Sequence, residues 1–214
     1  LIASEGADMV LHQGDFDYGG SPSSWDSMIS GVLGADFPYF ASVGNHDDGN
    51  WYGSNGYQAK LATRLSKISG ASCDGDLGVQ SACTYRGLFF ILSGAGTIPN
   101  GADNASHIAY IKDQLALTNA PMRICSWHKN MRDMQVGGKS DEVGWGPYEA
   151  CREGGAFVAT AHEHSYSRTH LLDHFETKSI ADTSNTLRIE KGKSFVVVSG
   201  IGGRSIRGQG RSGA

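Results

Sequence analysis

Six short apolar runs constrain this chain more than any other feature of its sequence. They cover residues 9–12, 39–43, 88–92, 123–127, 157–160 and 195–198, and each is rich in Val, Ile, Leu, Phe or Ala. Segments of helical period lie between them, and such alternation builds an α/β domain, not a sandwich or a helix bundle. Residues 23–33 put Trp25, Met28, Ile29, Val32 and Leu33 on one helical face, to be buried as a core stripe. Residues 57–68 and 108–117 have similar spacing, and 147–152 closes a last helix before Gly154-Gly155, a C-cap signal. No repeat, low-complexity tract or linker divides the chain, so residues 1–214 are expected to form a single domain.

In open α/β sheets ligands gather beyond the carboxyl ends of strands, so the residues that follow each run carry the most information about chemistry. The first run leads into Gly14-Asp15-Phe16-Asp17-Tyr18 and the second into Gly44-Asn45-His46-Asp47. The fourth leads into His128-Lys129-Asn130 and the fifth into Ala161-His162-Glu163-His164. Each alone has an ordinary explanation, since Gly-Asp and Gly-Asn are common turn dipeptides. Together they place Asp, Asn and His at four strand ends, a ligand set for cations such as Zn, Mn and Fe.

These residues resemble the calcineurin-like metallophosphoesterase superfamily, and within it the purple acid phosphatase branch is the nearest likeness. The resemblance rests on Gly14-Asp15 with Tyr18, on Gly44-Asn45-His46-Asp47, on His128, and on His162-x-His164 with its Tyr166 and Arg168 tail. It implies two packed mixed β-sheets flanked by helices. It also implies two divalent or trivalent metal ions, with Asp15 bridging them, Asn45, His128 and His162 on one ion, and Tyr18 and His164 on the other. A phenolate from Tyr18 would suit a ferric ion; Fe, Zn and Mn all remain open. His46 would be the catalytic residue, stabilising the phosphoryl group or protonating the leaving alkoxide, and with Asn45 it would bind substrate. The implied activity is metal-dependent hydrolysis of a small phosphate ester, whether monoester or diester, by in-line attack of activated water. The alternative is a non-catalytic phosphatase-like binding or structural module. Asp47, Glu163, Tyr166 and Arg168 either orient ligands, meet phosphate or belong to ordinary loops.

The family also draws an Asp for the second metal from an earlier strand, and this sequence has no counterpart. Asp8 stands before its strand, at the wrong end to reach the site. The expectation is therefore a domain without the family's first strand, incomplete at its N-terminus, with residues 208–214 reading as an unfinished loop at the other end.

Composition excludes several other classes. Eighteen basic against 22 acidic residues give a net charge of −4, with no basic block for nucleic acid. No apolar run approaches the roughly 20 residues that span a bilayer, and the opening residues lack the pattern of a signal peptide. There is no Gly-x-Ser-x-Gly elbow and no phosphate-binding glycine loop with its lysine. Gly94-Ala95-Gly96-Thr97 and Gly202-Gly203-Arg204-Ser205 read as glycine turns, the second close enough to the last strand to line the same cleft. Cys73 and Cys83 flank a turn-rich stretch and are expected to form a disulfide, whereas Cys125 and Cys151 fit buried thiols as well as a second bridge. With the Asn104-Ala105-Ser106 sequon, the cysteines point to a secreted or extracytoplasmic setting. His12, His107, His170 and His174 match no position of the family, and the oligomeric state is open.

Overall fold

The computed structural model describes residues 1–97 and 104–210; residues 211–214 of the closing loop lie outside the described residues. Its strands are β1 (Val10–His12), β2 (Tyr39–Ala41), β3 (Ser72–Asp76), β4 (Gln80–Tyr85), β5 (Leu88–Ser93), β6 (Met122–Ser126), β7 (Phe157–Thr160), β8 (Tyr166–Arg168), β9 (Leu171–His174), β10 (Ser179–Asp182) and β11 (Val196–Ser199). Four helices are interleaved with them: α1 (Pro22–Leu33), α2 (Tyr57–Leu65), α3 (Asn104–Leu117) and α4 (Trp145–Glu153). All six apolar runs are strands and all four helical segments are helices.

One mixed sheet of seven strands runs in the order β3-β4-β5-β6-β7-β11-β8, parallel from β5 through β11 and antiparallel at both margins. A second sheet pairs β1 with β2 in parallel, and β9 and β10 form a separate antiparallel ribbon. The β1-β2 sheet and the seven-stranded sheet stack between helices, with α1 and α2 outside β1-β2 and α3 and α4 outside the seven-stranded sheet. Side-chain alternation shows how this works, because neighbouring residues of a strand point to opposite faces. In β2, Tyr39 and Ala41 face the helices while Phe40 enters the space between the sheets. In β5, Phe90 and Leu92 meet Phe40 there, and Phe89 and Ile91 turn to α3 and α4. Strands buried on both faces read as continuous apolar runs, which is why they were visible in the sequence. The fold is α/β, as expected.

Four expectations need correction or completion. Met28 and Val32 of α1 are not core residues: they are 55% and 69% exposed, while Trp25 is 1% exposed and Ile29 and Leu33 are partly buried. The helix is rolled towards α2 by a buried guanidinium, for Arg64 donates to Gly34 O at 2.7 Å and Ser30 Oγ at 2.7 Å and pairs with Asp26 at 2.9 Å. Secondly, Asp74-Gly75-Asp76 belongs to β3 and not to a turn; the turn is confined to 77–79, and Cys73 lies opposite Cys83 in the hairpin. The Cys73–Cys83 disulfide is present, and a second bridge joins Cys125 of β6 to Cys151 of α4. The open choice between thiols and a bridge for that pair is thereby settled. Thirdly, the sequon's Asn104 uses its amide, which donates to Val143 O at 2.6 Å from the first residue of α3. Finally, the opening Leu1-Ile2-Ala3-Ser4-Glu5-Gly6, which the family resemblance would make the tail of a helix, forms hydrogen-bonded turns, including Glu5 N–H to Leu1 O at 2.9 Å.

Candidate metal centre

The loops that leave β1, β2, β6 and β7 meet beyond the carboxyl ends of those strands. Their closest contact is backbone on backbone, between Gly14 and Gly44. A Cβ on Gly14 would lie 2.6 Å from Gly44 Cα, and one on Gly44 would lie 2.1 Å from Asp15 N, so neither position accepts a side chain. Asp47 locks the contact. Its carboxylate accepts the N–H groups of Asp15, Phe16 and Gly44, each at 2.8 Å, and the residue is wholly buried. The turn dipeptides of the sequence thus act as a pair, and Asp47 orients Asp15 instead of contacting solvent. A second carboxylate shapes the same loop, for Asp17 Oδ1 accepts from Gly19 N–H at 2.9 Å and from the Tyr57 hydroxyl at 2.8 Å, which positions Tyr18 between them.

The residues picked from the strand ends come together. His128 Nε2 lies 3.3 Å from Asp15 Oδ1, 3.1 Å from Asn45 Oδ1 and 3.0 Å from His162 Nδ1. Tyr18 and His164 form the other half, with the phenol oxygen 3.2 Å from His164 Nε2. His46 donates its backbone N–H to Asp15 Oδ1 at 3.0 Å, and its exposed ring packs on Tyr18 with centroids 4.6 Å apart. Asp15 and His162 both have left-handed backbone, with φ of 60° and 54°. That conformation is uncommon outside glycine and is concentrated at functional sites.

Electrostatics favour ligand-ready forms. Burial pushes the Asp15 carboxyl up, but the hydrogen bond and charge of His128 and the His46 N–H outweigh it and hold it at about 2. Burial, and then the neighbouring His128, depress His162 to about 3, so its imidazole is neutral. His164 is lowered by burial and by Arg207. Tyr18 is the exception: it is raised by burial and by Asp15, so its phenol keeps its proton. His128 Nδ1–H donates to Gln13 O at 2.6 Å, which leaves Nε2 as the nitrogen aimed at the cluster.

A cation fits this donor set. Ligand atoms of Asp15, His128 and His162 all lie within 4.8 Å of one another. Asn45 Oδ1 joins them, and most of these atoms are acceptors facing acceptors, an arrangement that only a positive charge or protons can relieve. The set is oxygen and imidazole without sulfur, which suits borderline or hard ions.

Some site residues escaped the sequence reading. Glu142 Oε2 sits 2.9 Å from His162 Nε2, at ion-pair distance but at an angle too poor for a hydrogen bond, and its other oxygen meets Lys129 at 3.3 Å. Asn130, fully buried, donates to Ala161 O at 2.6 Å and accepts from Thr160 Oγ1, tying the β6 loop to the β7 loop. Glu163 is buried against Arg207 at 3.4 Å, whereas Tyr166 and Arg168 lie on β8, where both are exposed. His12 is partly buried under the site, where desolvation lowers it to about 4, and its Nδ1 lies 3.0 Å from the Tyr39 hydroxyl. The metal-capable residues and residues 200–204 line one cavity of about 590 Å³.

Comparison with solved structures finds the fold of a purple acid phosphatase, PPD1, isolated from yellow lupin (Lupinus luteus) seeds. The TM-score is 0.66 at 20% identity, and the match covers 96% of this chain but 39% of that one. The chain therefore spans well under half the length of that relative. No curated protein gives a significant sequence match. The calcineurin-like phosphoesterase family model matches residues 1–166, and with most of its length matched the chain belongs to that family.

Proposed function

We propose that the chain hydrolyses phosphate esters at a two-metal centre held by Asp15, Tyr18, Asn45, His128, His162 and His164. One observation carries this reading: acceptor atoms from four strand ends converge on a common centre with Asp15 between its two halves. Asn45, His128 and His162 would hold one ion and Tyr18 and His164 the other, with Asp15 shared between them. When bound, such a pair supplies Lewis acidity that lowers the pKa of water and neutralises phosphoryl charge. The protein's own residues do the rest. The glycine contact and Asp47 fix Asp15, Gln13 fixes the tautomer of His128, and Asn45 presents its amide to the phosphoryl oxygens. His46, exposed beside Tyr18, is placed to give a proton to the leaving alkoxide.

Residues 1–214 would act as one catalytic domain on a small phosphate ester. Two disulfides support an oxidising, extracytoplasmic setting. Among the described residues, no helix is long and apolar enough to cross a membrane. A second reading, a non-catalytic module with one ion, draws on a single feature: Asp15, His128 and His162 form the one three-residue His/Asp cluster among the described residues, while Tyr18 and His164 contribute just two further donors.

Turnover of p-nitrophenyl phosphate and its bis-ester separates the two. Protein stripped by chelator should be inactive and should recover with Zn, Mn or Fe, and His46→Ala should keep its metal while losing roughly 100-fold or more in kcat. A metal-loaded protein that turned over neither ester would leave the module reading standing.

A further inference from the structure

The segment after β11 forms one wall of the cavity, which residues of β1 and α1 such as Leu11, Trp25 and Met28 also line. It is held in place from end to end. Gly200 N–H donates to Ser165 O at 3.1 Å, Arg207 N–H to His164 O at 2.8 Å, and Gly210 N–H to Val136 O at 2.8 Å. Ser205 Oγ lies 3.0 Å from His164 Nδ1, and Arg207 pairs with the buried Glu163. A Cβ on Gly200 would stand 2.0 Å from Glu163 O, so the segment can start this close to the β7 loop only with glycine. The segment is therefore built against the ligand His164 and is not a stray tail.

Arg204 is the residue this segment delivers to the cavity. Its guanidinium lies over the Tyr18 ring, 4.9 Å from the centroid, and it has no ion pair or hydrogen bond among the described residues. Two other cations of the site differ, because Arg207 is paired with Glu163 and Lys129 with Glu142. An exposed cation–π contact is weak. That leaves a planar fork of donors, unspent, at the mouth of the ligand cluster, and guanidinium forks match the oxygens of a phosphoryl group.

Resting on the phosphoesterase reading above, we propose that Arg204 is a substrate-binding residue that takes a terminal phosphoryl oxygen and weights the site towards dianionic phosphate groups. A monoester dianion has three terminal oxygens, so one remains for Arg204 after two face the Asp15 cluster. A diester has two and offers it none. The same contact would hold inorganic phosphate, the product.

Two measurements on the metal-loaded full chain test this. Arg204→Gln should raise KM for p-nitrophenyl phosphate roughly 10- to 100-fold, the worth of a charge-assisted hydrogen bond, with a smaller change in kcat. Turnover of the bis-ester should change less than about 3-fold, Arg204→Lys should restore part of the loss, and metal content should be unchanged. Calorimetric binding of inorganic phosphate should weaken by a factor similar to the KM change, and this can be read even if no ester is turned over. A KM and phosphate affinity that stay within about 2-fold of the parent would overturn the proposal. So would equal losses on both esters. Failure of the parent protein to hydrolyse any ester, with phosphate binding still dependent on Arg204, would instead count against the phosphoesterase reading alone.

Discussion

The two sides of the candidate metal site are held in different ways. Asp15, Tyr18, Asn45 and His46 sit on loops from a two-stranded sheet, fixed by backbone: the Gly14–Gly44 contact and three N–H groups converging on Asp47. His128 and His162 rise from the middle of a seven-stranded sheet, held by separate polar contacts: the main-chain carbonyl of Gln13 on His128, the Asn130 side chain between the two loops, and the Glu142 carboxylate beside His162. The first side depends on steric fit, which fails all at once. The second depends on several separate polar contacts and a disulfide-tied core, which fail one at a time. The first side is also barer, since Met28 and Val32 of α1 stay exposed beside it.

The sharpest break is Gly44→Ala. Its Cβ would lie 2.1 Å from Asp15 N and 2.4 Å from its carboxylate oxygen, so the two loops must separate. Loss of both metal and activity by more than about 100-fold is expected, since misplacing a reacting group by about 1 Å already costs that much. Elemental analysis alongside turnover checks it, and a Gly44→Ala protein with normal metal and rate would refute the steric account of this side.

On the other side, replacing Cys125 and Cys151 by Ser opens a closed loop with a sequence separation of 26. About 3 kcal/mol of stability should be lost, seen as a lower denaturant midpoint, with metal content retained once the protein is folded. Metal loss without loss of stability would mean that this bridge serves the centre directly.

The smallest effect is expected for Glu142→Gln, which keeps shape and removes the charge beside His162 Nε2. Metal affinity should fall about 10- to 100-fold with the thermal midpoint nearly unchanged, the usual consequence of removing a carboxylate that backs a ligand histidine. Affinity equal to the parent's would show that the poor angle of this contact already makes it idle.

How much of this could be read from the sequence follows from the same contrast. The ligands were legible because strand ends are marked by apolar runs that stop abruptly, and Gly44-Asn45-His46-Asp47 and His162-Glu163-His164 stand directly after such runs. Strands β3, β4, β8, β9 and β10 were not legible. All but β4 are short marginal elements, and Asp74-Gly75-Asp76-Leu77-Gly78 reads as one turn-rich stretch until the pairing of β3 with β4 and the Cys73–Cys83 bridge override the composition of its first half. The exposed flank of α1 was misread because periodicity marks a face but not the roll that Arg64 imposes on it. Glu142, Asn130 and Arg204 lie in loops without periodicity, and their roles come from neighbours 20 to more than 180 residues away along the chain: Glu142 with His162, Asn130 with Ala161, Arg204 with Tyr18. Asp47 carried a signal in its motif, yet only the fold shows that it spends its carboxylate on backbone N–H groups.

The most direct test is the number of metal ions per chain in the parent protein and in Asp15→Asn, purified without chelator and measured by elemental analysis. Asn tolerates the left-handed backbone at this position, so the fold should survive. If Asp15 joins two ions, the parent will hold two per chain and Asp15→Asn close to none. A parent holding a single ion, or an Asp15→Asn protein that keeps its full complement, would contradict the account.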